Sequence, residues 1–127
     1  MVISIIAVAT AGAALALRDG NSVTLEREAE RLAALLEAGR AQSRASGVAV
    51  RWHSVAGGFR FVGLPSDRLP TQWLSASTVV RGDNSLLLGP EPLLAAQGVT
   101  LVSRDEPATA LRVATDGLRP FAVQPVP

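Results

Sequence analysis

Hydrophobic positions along the chain follow three successive patterns. Met1 to Leu17 is a continuous apolar run without a charged residue, closed by Arg18 and Asp19. Beyond Asp19-Gly20-Asn21-Ser22, a break or kink signal, apolar residues recur at spacings of three and four. Leu25, Ala29, Leu32, Leu36 and Gly39 form the stripe, widened by Ala33 and Leu35. This is the period of an amphipathic helix, predicted over about 23–45. Glu26, Glu28 and Glu30 crowd its start and Arg40 and Arg44 its end, the arrangement that the helix macrodipole favours. Ser22 or Thr24 is positioned to cap its start. If Gly20 only kinks the backbone, one helix runs from residue 1 to about 45.

After Ser46-Gly47 the period falls to two. Val48, Val50 and Trp52 alternate with Ala49, Arg51 and His53, and Phe59 and Phe61 resume the alternation beyond the Ala56-Gly57-Gly58 turn. That predicts a hairpin. Residues 63–98, rich in proline and glycine, read as loops carrying short strands at Thr78 to Arg81 and Ser85 to Leu88. Val99 to Ser103 is a further strand. Ala110 to Ala114 and Phe121 to Val123 form a last hairpin across Thr115-Asp116-Gly117, Asp-Gly being a strong turn signal. The predicted class is α+β, a helix packed on a small antiparallel sheet or sandwich, with strands over about 47–124. Leu25, Leu32, Leu36, Val48, Val50 and Trp52 are its predicted helix-to-sheet core.

The apolar run admits three readings. Ala14-Leu15-Ala16 offers a signal-peptidase site, but no positively charged segment precedes it. A core helix apolar on every side needs partners all round, which about a hundred further residues can hardly supply. The third and favoured reading is a membrane helix whose first turns are missing, with the signal peptide second. At about 1.5 Å per residue the run spans roughly 26 Å, against roughly 30 Å of bilayer core.

Composition narrows the chemistry. The 127 residues suffice for one domain, 48% are hydrophobic and the net charge is only +1. Cysteine is absent, all twelve basic residues are arginine, and His53 is the one histidine. That excludes thiolate catalysis, cysteine-ligated metals, a Walker lysine, Schiff-base chemistry and multi-histidine zinc sites. His53 beside Ser54 lacks a third group to orient a base. Asp105, Glu106 and Glu91 sit in proline-rich loops and read as solvated charges. Trp73 and Leu74 suit either a binding surface or core packing. Arg104, Arg112 and Arg119 would make a basic patch only if the fold gathered them. No enzyme, cofactor, metal, small-molecule substrate or nucleic acid is expected.

The order of these features resembles the type IV pilin-like family, in particular the H-type minor pseudopilins of bacterial type II secretion. Met1-Val2-Ile3-Ser4-Ile5-Ile6-Ala7-Val8 resembles the apolar segment that follows that family's prepilin signature. Residues 27–37 resemble its amphipathic helix, and residues 38–50 its lead into the first strand. Gly58-Phe59-Arg60-Phe61 resembles its Gly-Tyr-x-Phe strand, and residues 111–117 its terminal hairpin. The prepilin peptidase site and the glutamate early in the mature helix are both missing, which points to a start codon assigned too far downstream or a shortened chain. The resemblance implies an assembly helix over 1–21, with Ile3, Ile5, Ile6, Val8, Leu15 and Leu17 as packing positions, and a pilin-like domain over 22–127. It implies a single-pass protein of the bacterial inner membrane with its C-terminal domain in the periplasm. Its partners would be other pseudopilins and membrane lipid, and its role structural. A minor type IV pilin and a periplasmic binding domain released after a signal peptide are the alternatives. Gly117-Leu118-Arg119-Pro120 does not match the Gly-Arg-x-Arg segment of DNA-binding pilins.

Overall fold

The computed structural model describes residues 2–65, 68–82 and 84–126, with side chains described from Gly20 onward. One helix, α1 (Val2–Ser46), precedes seven strands: β1 (Val50–Val55), β2 (Gly58–Val62), β3 (Thr78–Arg81), β4 (Ser85–Gly89), β5 (Gln97–Ser103), β6 (Ala110–Thr115) and β7 (Ala122–Pro125). The strands form two antiparallel sheets, ordered β2-β1-β4 and β3-β5-β6-β7. The protein is α+β, with its helix laid across strands of both sheets.

The break or kink signalled at Asp19 to Ser22 does not interrupt α1, so the alternative of one helix running to about residue 45 is the one the structure has. One glycine inside a helix costs about 1 kcal/mol, and starting a second helix beyond it would repeat the unfavourable nucleation step. The expected boundary at residue 21 therefore falls within a continuous helix. The packing positions Ile3, Ile5, Ile6, Val8, Leu15 and Leu17 lie outside the residues whose side chains are described. Among the described residues, no helix is long and apolar enough to cross a membrane. This corrects the expectation of a single-pass inner-membrane protein. The uncharged run stops short of a bilayer core, and the same helix goes on through Arg27, Glu28 and Glu30.

The helix ends as the sequence predicts. Gly47 takes φ +71°, and its N–H donates to the Ser43 carbonyl at 2.9 Å, closing the last turn with a left-handed residue that glycine adopts without steric cost. The exit has a consequence for Val48. Its N–H donates to Ser46 Oγ at 3.2 Å and its carbonyl accepts from Ser43 Oγ at 2.7 Å. Val48 is thereby held in the turn before β1 and is 51% exposed, not a core residue alongside Val50 and Trp52.

Leu25, Ala29, Leu32 and Leu36 are buried against Val50, Trp52, Phe59, Leu86, Leu88, Val99, Leu101, Val113 and Phe121. Gly39 lets the helix approach closely: a Cβ there would lie 2.9 Å from Leu88 Cδ1 and 3.1 Å from Phe61 Cε1. Trp73 belongs to this core, its ring 4.7 Å from that of Phe59 and 6.4 Å from that of Trp52. A side chain joins the two sheets. Gln97 Nε2 donates to the Leu87 carbonyl at 2.5 Å while Gln97 Oε1 accepts from the Leu87 N–H at 3.0 Å. The amide thus occupies the outer edge of β4 as a neighbouring strand would, satisfying edge groups otherwise open to foreign strands.

Candidate functional site

The buried stripe of α1 also contains two charged residues, Glu28 and Arg40, which fall at its helical spacing. Glu28 is 1% exposed. It lies three residues from Leu25 and four from Leu32, so helical geometry places all three on one face. Its carboxylate accepts from Leu74 N at 2.9 Å, Ser75 N at 3.1 Å and Thr78 Oγ1 at 2.7 Å. Arg31 approaches it at 3.8 Å and donates to the Gln72 carbonyl at 2.9 Å. The carboxylate therefore fastens the segment between β2 and β3, which itself makes little regular structure.

Arg40 does the converse at the other end of the stripe. It is 1% exposed and donates to the carbonyls of Gly117 at 2.9 Å, Arg119 at 3.2 Å and Pro92 at 3.3 Å. Glu37 lies 3.7 Å from it and accepts from Phe121 N at 3.0 Å. One guanidinium thus holds the β4–β5 and β6–β7 connections together, using a planar fork of donors that an ammonium does not have. The β6–β7 loop is also stapled locally. Asp116 Oδ1 accepts from Leu118 N at 3.0 Å and Arg119 N at 2.8 Å. Those two backbone donors, chiefly that of Arg119, hold the Asp116 carboxyl below the ordinary aspartate range. Gly117, at φ +100°, passes so close to the Leu94 backbone that a Cβ there would collide with the Leu94 carbonyl.

Leu25, Leu32, Leu36, Val50 and Trp52 are buried. His53 and Ser54, as neighbours on β1, point to opposite sides of the sheet, so they form no catalytic pair. His53 faces Arg60 and Ser85 in register. Glu91 lies between β4 and β5, whereas Asp105 and Glu106 lie between β5 and β6. Among the described residues, no group of three or more His, Asp or Glu could hold a metal ion. Arg104, Arg112 and Arg119 are not gathered: they sit respectively just after β5, within β6 and in the β6–β7 loop, where Arg119 pairs with Asp116 at 3.8 Å. A shallow cleft of about 550 Å³ runs along β2, and among the described residues Arg60 is the one ionisable side chain in its lining.

No family model matches the chain, and no curated protein or solved structure matches it either.

Proposed function

We propose that this chain is a pilin-like structural subunit, a minor pseudopilin of the type II secretion pseudopilus that helps export folded proteins across the outer membrane. The observation that carries the reading is the uninterrupted 45-residue helix. At about 1.5 Å per residue it is roughly 68 Å long. Its described buried positions, Leu25 to Ser43, account for about 27 Å of that length. The preceding turns carry Ala7, Ala9, Ala11, Gly12, Ala13, Ala14 and Ala16, small residues that permit close approach of a neighbouring helix. The protein works through helix packing and shape, with no chemistry of its own, and its partners are other pseudopilins.

The absence of native cysteine makes this testable by single-cysteine crosslinking. Ala7→Cys and Ala14→Cys are expected to form disulfides with cysteines in the helices of co-expressed pseudopilins, whereas Ala34→Cys, at an exposed position beside the sheet-packed face, is not. Folded chain that crosslinks to no pseudopilin at residues 7–16 would refute the proposal. Crosslinks to type IV pilus subunits instead would assign it to a pilus.

A further inference from the structure

The seven strands contain Arg51, Arg60, Arg81, Arg112 and His53 but no aspartate or glutamate. Among the described residues, the acidic ones lie in α1 and the connections. A net charge of +1 therefore conceals strands that carry arginines without acidic side chains, and strand register decides where those arginines lie.

In the four-stranded sheet, Arg81 pairs with Thr100, Thr100 with Arg112, and Arg112 with Gln124. Paired residues on antiparallel strands share a face. These four side chains thus form one row across β3, β5, β6 and β7, on the face opposite the one that packs Val99, Leu101 and Val113 against the helix. Adjacent strands lie about 4.8 Å apart, which puts the Arg81 and Arg112 backbones about 10 Å from each other. Every side chain in the row carries a hydrogen-bond donor. Neither arginine has a carboxylate within ion-pair distance among the described residues. Arg112 is also seated in place: a Cβ on Gly98 would stand 2.9 Å from its Nη2, so the missing side chain makes the room in which the guanidinium lies.

We infer that the Arg81–Thr100–Arg112–Gln124 row is a docking surface for an acidic polypeptide, whose carboxylates the two guanidiniums bind. Charge complementarity carries the choice of partner. Guanidinium forks match carboxylates bidentately. The row has no aromatic platform on which bases could stack. The surface lies away from α1, so this inference is independent of the filament proposal.

The test uses the full chain, with poly-L-glutamate and a single-stranded oligodeoxynucleotide as probes, followed by amide NMR and titration at low salt. Poly-L-glutamate is expected to bind saturably and to shift the amides of Thr100, Arg112 and Gln124. Arg81→Glu with Arg112→Glu should weaken it at least tenfold. Arg104→Glu with Arg119→Glu, an equal change in net charge elsewhere, should stay within about twofold of the wild type. Unchanged thermal unfolding confirms the fold of each variant. If charge reversal prevents folding, Arg81→Gln with Arg112→Gln replaces it, with at least a threefold loss expected. No saturable binding, shifts located elsewhere, equal losses in both double variants, or tighter binding of the oligonucleotide would each overturn the inference.

Discussion

Replacing Glu28 by alanine should cost this protein a large share of its stability. Three donors, Leu74 N, Ser75 N and Thr78 Oγ1, end on one carboxylate that is 1% exposed. A hydrogen bond to a charged group contributes roughly 1.5–3 kcal/mol, so the gross sum is several kcal/mol. Burying the carboxylate offsets part of it, by several kcal/mol per ion in general. The loss on truncation is dominated by the stranded donors and the cavity, and Glu28→Ala should destabilise by about 3–5 kcal/mol. For a domain of this size that lowers Tm by roughly 10–20 °C. Glu28→Gln keeps the shape and an accepting oxygen but turns the other acceptor into a donor. It should cost about 1–2 kcal/mol. Urea unfolding followed by tryptophan emission is the assay, because Trp73 adjoins the clamped segment and packs on Phe59. A Glu28→Ala variant within 0.5 kcal/mol of wild type (a figure about the size of ordinary surface effects) would refute the clamp. Equal losses for alanine and glutamine would refute the hydrogen-bond account, leaving only volume.

Arg40→Met should destabilise by roughly 3 kcal/mol, since three loop carbonyls lose their donor; amide exchange should accelerate in residues 92–95 and 116–121 while β5 stays protected. Gly39→Ala should cost about 1–3 kcal/mol through overpacking against Leu88 and Phe61. Gly20→Ala, where nothing lies within 4 Å, should instead stabilise by about 0.5–1 kcal/mol; the two variants separate in one thermal-melt comparison. Asp116 should titrate below the ordinary aspartate range in a carboxyl NMR titration. Because its folded pKa is depressed, its stabilising contribution is present above the unfolded value and is lost as pH falls through the folded one; loop amide shifts at Leu118 and Arg119 should follow that same transition.

The helix stop at Gly47, the β3, β4, β5 and β6 segments and the apolar stripe from Leu25 to Leu36 were readable from the chain, because periodicity and turn residues act through neighbours a few positions away. The same period could have suggested Glu28, which falls between Leu25 and Leu32, but its charge reads from the sequence as a macrodipole partner at a helix start, a start that the continuous α1 removes. Only the fold could place it inside, since its donors lie 46 to 50 residues further along. Arg40 depends on carbonyls 52 to 79 residues away. Val48 has the right parity for the core, yet the helix cap takes it first. Among the arginines weighed as a patch, only Arg112 joins a row, and its companion is Arg81, chosen by the register of β3 on β5. Local spacing thus determined which elements form and which apolar faces they bury. The tertiary structure decided where the charges go, because a buried ion is stable only beside partners that chain folding brings from far along the sequence.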